Sequence, residues 1–195
     1  MTRPVAVAIT GGIGAGKSET LKAFARNGAA TVSSDEIVHH LLRRLDVRDA
    51  VVARMGIGIV SPEGEIDRGA LATVVFNDRE ALGWLEELLH PLVAIEYLRW
   101  REQLAKLPDA PRVSVTEVPL LYETGGEERF DKVVVITAPS KLRKARSEVA
   151  TDDREARLLP DSEKVKRADF SFTNTGSLEE LDAFVKSVLA ELAAS

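Results

Sequence analysis

Residues 5–20 read VAVAITGGIGAGKSET, an apolar run that ends in a glycine cluster with one lysine and one hydroxyl side chain. Residues 5–9 form a short apolar segment stopped by turn residues, which predicts a buried parallel strand. After it, Gly11-x-x-x-x-Gly16-Lys17-Ser18 has the spacing of a phosphate-binding loop, in which backbone N–H groups curl around a polyphosphate. Glycine enters positive φ without strain and carries no Cβ, so side chains at Gly14 or Gly16 are expected to intrude on the phosphates. Gly12, Ile13, Gly14, Ala15, Gly16, Lys17, Ser18 and Glu19 are therefore the candidate nucleotide-binding set. Lys17 offers a point charge to the β/γ-phosphates, and the Ser18 hydroxyl is a ligand for a Mg²⁺ ion bridging them. Residues 19–25 carry a helical pattern whose N-terminus faces the loop, where its dipole favours an anion.

The rest of the chain suits a globular enzyme. Its 195 residues can bury a full core, and 45% hydrophobic with 29% charged residues is ordinary for a folded protein. A net charge of −5 argues against a general nucleic-acid binder while leaving room for a local basic pocket. With no cysteine there is neither a disulfide framework nor a thiolate metal site. The N-terminus leads straight into the first strand without a signal peptide, and no apolar run approaches the roughly 18 residues of a membrane span. These features predict a cytoplasmic protein that acts on small molecules, with no nucleic-acid or membrane partner.

Further strand candidates fall at residues 30–32, 112–118, 132–137 and 170–173, with helical patterns between them. That alternation predicts an α/β fold, a doubly wound parallel sheet of five strands, with functional residues beyond the carboxyl ends of the strands. A mostly helical stretch between the second and third strands, about residues 36–111, is too long for a loop and reads as a substrate-binding subdomain within a single domain of residues 1–195. Residues 140–167 are dense in both signs of charge and read either as a solvated helix pair or as a lid bringing arginines over phosphates. Ser177 followed three residues later by Glu180 has the capping-box spacing and starts the closing helix.

Several side chains are placed for chemistry. Asp35 follows the second strand and either accepts a proton from a substrate hydroxyl or caps the next helix, a role open to Ser34 as well. Glu117 closes the third strand and either binds a metal through water or is an ordinary polar strand end. His90 stands before Pro91 at an expected helix boundary, as a ligand for phosphate or sugar or as a structural residue. Arg68 is a bidentate phosphate ligand candidate, and Asp67 before it a helix cap. The basic run 143–146 reads as a solvated face unless its place after the fourth strand brings it to the site.

These pieces resemble the dephospho-coenzyme A kinases. The resemblance is carried by ITGGIGAGKS (9–18), SSDEIVHHLL (33–42), PEGEIDRGALATVVF (62–76), LEELLHPLV (85–93), EVPLLYE (117–123) and ADFSFTNTGSLEEL (168–181), in that family's order and over nearly the whole chain. It implies a P-loop kinase fold with a helical substrate insertion and a short lid, transferring the γ-phosphoryl group of ATP to the ribose 3′-hydroxyl of dephospho-coenzyme A. It further implies that residues 14–18 hold ATP and Mg²⁺ and that Lys17, Asp35 and a lid arginine carry the chemistry. Arg68, His90, Pro119, Leu120 and Glu123 would then form the acceptor site, with Asn174 near the adenine. Arg146, Arg154 and Arg157 are the lid candidates, Arg146 foremost. The chain departs from the family in Glu19, where threonine is usual, in Leu158, where glutamine is usual, and in a lid shorter by about one to two helical turns. Outside that family the fold also suits a kinase for another small hydroxyl substrate or a non-catalytic nucleotide binder. A GTPase-like switch is disfavoured by the lack of an Asn-Lys-x-Asp stretch.

Overall fold

A computed structural model describes residues 3–146 and 158–194. Five strands, β1 (Val5–Gly11), β2 (Ala30–Ser33), β3 (Val113–Glu117), β4 (Lys132–Thr137) and β5 (Phe170–Thr173), form one all-parallel sheet in the order β2-β3-β1-β4-β5. The expected α/β sheet is present, with β1 at its centre. All five strands lie near their expected positions; β1 runs two residues further, into the first loop glycine, because Gly11 still pairs with Ile136.

Side chains alternate across a strand, and the two faces sort accordingly. Val7 and Ile9 of β1, Val113 and Val115 of β3, and Val134 and Ile136 of β4 share one buried cluster with Leu21, Ala23 and Phe24 of α1 (Lys17–Arg26). The closing helix α8 (Leu178–Ala194) adds Leu181, Val185, Val188 and Leu192, a stripe at helical spacing. Ala8, Val133 and Val135 face the other way, against Leu121 and Tyr122 of the segment after β3, with Leu159 and Ala168 at the two ends of the short helix α7 (Asp161–Arg167). The helix α6 (Ser140–Arg146) leaves β4 and completes this part of the chain.

The chain divides into two compact units, one of Met1–Ser33 with Trp100–Ser195 and the other, the helical insertion, Ser34–Arg99. The insertion holds α2 (Ser34–Leu41), α3 (Leu45–Met55), α4 (Arg68–Asn77) and most of α5 (Arg79–Leu104). Within it, Asp67 caps α4 as expected, its carboxylate accepting from the N–H groups of Gly69 (2.8 Å) and Ala70 (3.1 Å).

Candidate functional site

The loop between β1 and α1 owes its shape to three glycines at positive φ: Gly11 (144°), Gly14 (72°) and Gly16 (100°). What crowds them is protein. A Cβ on Gly11 would lie 1.9 Å from the Ile136 carbonyl oxygen, one on Gly14 2.8 Å from the Arg143 carbonyl oxygen, and one on Gly16 2.2 Å from Asn174 Nδ2. The expectation that these positions need glycine therefore acquires a further reason: β4, α6 and the β5–α8 turn close on the loop from outside, leaving no space for side chains.

Strand parity explains the polar pair beneath the loop. In β3, Glu117 has the same parity as Val113 and Val115, so it faces α1, and it is only 5% exposed. The Ser18 hydroxyl donates to Glu117 Oε1 across 3.3 Å. A buried carboxylate and a hydroxyl at the carboxyl edge of a parallel sheet, next to a helix N-terminus, are hard oxygen donors of the kind Mg²⁺ takes when phosphates supply its other ligands. Lys17 Nζ donates to the carbonyls of Gly11 (3.1 Å) and Gly12 (3.0 Å), so its ammonium lies on the loop itself. Thr10, of opposite parity, donates to the Pro119 carbonyl (3.2 Å), which ties β1 to the segment after β3.

Asn174, only 6% exposed, fastens the loop's far side: Nδ2 donates to the Ala15 carbonyl (2.9 Å) while Oδ1 accepts from Gly176 N–H (3.0 Å). Beside it a cavity of about 200 Å³ is lined by Gly16, Glu19, Arg146, Asn174, Ser177 and Leu181. Glu19 shares that lining, yet its carboxylate accepts from Arg26 (2.9 Å), whose other amino group reaches Asp182 (2.9 Å). The acidic departure is thus compensated along α1 and α8. Ser177 caps α8 by accepting from Glu180 N–H (3.2 Å), but the reciprocal half of the capping box is absent because the Glu180 carboxylate accepts from the Thr175 hydroxyl (2.8 Å).

The basic run after β4 divides. Arg146 is exposed and lines the cavity, whereas Arg143, which nothing in the charge run separates from its neighbours, packs on the loop with its side chain 21% exposed. Its Nη1 would be 2.7 Å from a Cβ on Gly12 and lies 3.7 Å from Asp161 Oδ2. Arg143 stands one helical turn before Arg146 on α6, so the two side chains leave the same side of that helix. Arg154 and Arg157 lie outside the described residues.

Of the expected acceptor-site residues, Pro119, Leu120 and Glu123 lie in the sheet unit, in the segment after β3. The Glu123 carboxylate is engaged, with Oε1 2.8 Å from Lys164 Nζ and accepting from Leu159 N–H at 2.9 Å. Asp35, Arg68 and His90 belong to the insertion. The helix α2 opens at Ser34, so Asp35 sits inside its first turn and not at a flanking cap. Arg68 is the exposed first residue of α4. His90 does not mark a helix boundary: α5 runs continuously through Pro91, and His90 is exposed in its middle. The buried stripe Ala81, Leu85, Leu89, Val93 and Tyr97 holds that helix together across the proline. Near α2, the Arg43 guanidinium, with burial and Arg68 adding to it, holds the His39 imidazole below its ordinary value.

A central parallel sheet with this strand order, a glycine loop at the tip of β1 and a lysine–serine pair opening α1 define a kinase of the phosphate-loop class. A shikimate kinase from Acinetobacter baumannii shares the fold, with a TM-score of 0.55 at 12% identity over 98% of this chain and 94% of that one. The chain belongs to the dephospho-CoA kinase family, whose profile matches residues 5–180. The dephospho-CoA kinase of Aquifex aeolicus is 36% identical over 193 residues, covering 95% of this chain and 96% of the relative. The dephospho-CoA kinase structure from Campylobacter jejuni superposes with a TM-score of 0.69 at 29% identity, over 96% of each chain.

Proposed function

We propose that the chain transfers the γ-phosphoryl group of ATP to the 3′-hydroxyl of the ribose in dephospho-coenzyme A, giving coenzyme A and ADP. The observation that carries this reading is the convergence of Lys17, Ser18 and Glu117 on one glycine loop in a chain of that family. The backbone N–H groups of residues 12–18 cradle the phosphates, the cavity beside Gly16 and Asn174 takes the adenine, and Arg146 on that cavity's lining is the arginine that meets the transferring phosphoryl group. Ser18 and Glu117 would hold Mg²⁺, which when bound would neutralise charge on the phosphates.

Transfer is direct and in line. Lys17 leaves its two loop carbonyls for the γ-phosphate and neutralises the charge that develops there, a task that rewards fixed positive groups more than covalent chemistry. Asp35 orients the acceptor hydroxyl and takes its proton as the O–P bond forms and the bond to ADP breaks. Arg68 and His90 bind the acceptor. The protein works in the cytoplasm on small molecules on this reading; no described helix is long and apolar enough to cross a membrane. The test is incubation with γ-labelled ATP and dephospho-coenzyme A beside a nucleoside and a sugar. Label is expected in 3′-phosphorylated coenzyme A alone, and label in another acceptor rejects the assignment. Asp35→Asn keeps the size of the side chain but not its basicity, so it is expected to bind ATP normally and lose turnover on the order of 10²-fold or more; undiminished turnover removes Asp35 as the base.

A further inference from the structure

Helix α7 is held in an unusual way. It has seven residues, too few to be stable alone, and its one buried residue is a lysine: Lys164 is 0% exposed. The Lys164 ammonium lies 2.8 Å from Glu123 Oε1, and the same oxygen accepts from Leu159 N–H at 2.9 Å, so one carboxylate grips both the helix and the residue two before its start. Three residues before Lys164, on the same side of the helix, Asp161 reaches Arg143, and both groups lie against Gly12 of the phosphate loop. The backbone of Arg143 is at the same time packed on Gly14. A buried ion pair is a poor source of net stability, since apolar residues of similar volume do as well, but removing either member leaves an uncompensated buried charge, so the two are held together.

We propose that Glu123 is a positioning residue for the phosphate loop, acting through Lys164 and the Asp161–Arg143 pair, and not a contact to the acceptor. Glu123 sets where α7 sits, α7 sets Asp161, and Asp161 sets the guanidinium that backs Gly12. The post-β3 segment, which starts from Glu117, is thereby tied to the outside of the loop that Ser18 and Glu117 hold from within.

The proposal rests on the kinase reading above, and a double-mutant cycle between Glu123→Gln and Arg143→Ala tests it, with kcat, both KM values, ATP affinity by calorimetry and the melting temperature read for each protein. A small displacement at a phosphate site costs on the order of 10²-fold, so each single change is expected to lower kcat by about ten- to a hundredfold. The KM for dephospho-coenzyme A should stay within about threefold, and the double variant should be no worse than the poorer single one. Losses that multiply, or a raised KM for the acceptor at normal kcat, overturn the proposal. Should Glu123→Gln fail to fold, the apolar pair Glu123→Leu/Lys164→Met replaces it; that protein is expected to melt near the wild-type temperature with reduced kcat, and normal kcat overturns the proposal. If the wild-type protein binds ATP without phosphorylating dephospho-coenzyme A, the functional reading fails by itself, and the cycle is decided on ATP affinity, where the same non-additivity is expected.

Discussion

Lys17 is held by the backbone of its own loop. Its ammonium bonds the carbonyls of Gly11 and Gly12, which satisfies a half-buried charge. Replacing it removes charge from the phosphate site but little from the core, since the loop glycines are fixed by Ile136, Arg143 and Asn174. Lys17→Met is therefore expected to lower kcat by roughly 10²–10³-fold, the scale of one lost electrostatic contact to a transition state. The melting temperature should stay within a few degrees. Activity assay and thermal unfolding on the same preparation check this, and near-normal turnover in the folded variant contradicts the assignment. Glycine spacing makes Lys17 and Ser18 legible in the sequence, because the motif is itself a statement about backbone geometry. Arg143 was not legible: its sequence neighbourhood is a solvated charge run, and only the fold shows that α6 leaves β4 directly over Gly14.

At the level of elements, sequence pattern served the sheet better than the insertion. Buried parallel strands are short Val/Ile-rich runs next to turn residues, so all five appear, and the pairing Ile9↔Glu117 turns a plain strand-end acid into the partner of Ser18 by parity alone. The helix α5 defeated the same reading. An interior proline costs about 3 kcal/mol, and a boundary at Pro91 was the better local choice. Five buried residues at four-residue spacing outweigh that cost, a tertiary term no local rule contains. The start of α4 was readable because a cap is local. Asp67 accepts from two N–H groups there, so Asp67→Ala is expected to destabilise the protein by about 1 kcal/mol, whereas Asp67→Asn should keep most of that. Denaturant midpoints of the two variants decide it; equal losses would show that the carboxylate's charge matters more than the cap.

At the scale of the whole chain, one helix joins the two units: α5 begins in the insertion and ends in the sheet unit, so its hydrogen-bond ladder crosses the division at Arg99 and Trp100. Opening that ladder in either unit frays the other's last turn, which argues for unfolding as one cooperative transition. The two tryptophans, Trp84 and Trp100, both lie on α5, one in each unit, and provide the measurement. In Trp100→Phe the remaining fluorescence reports the insertion through Trp84, while far-ultraviolet circular dichroism reports the whole chain. ATP at about a hundred times its dissociation constant stabilises a protein that binds it by about 2.7 kcal/mol, a rise of roughly 5–10 °C for a chain of this size. The phosphate loop belongs to the sheet unit and Trp84 to the insertion, so a rise seen by Trp84 reports that the two unfold together. Coincident transitions by both probes, displaced equally by Mg·ATP, are the expected result; a Trp84 transition that comes first and ignores the nucleotide would mean that the insertion unfolds on its own and that α5 breaks at Pro91 before the sheet opens.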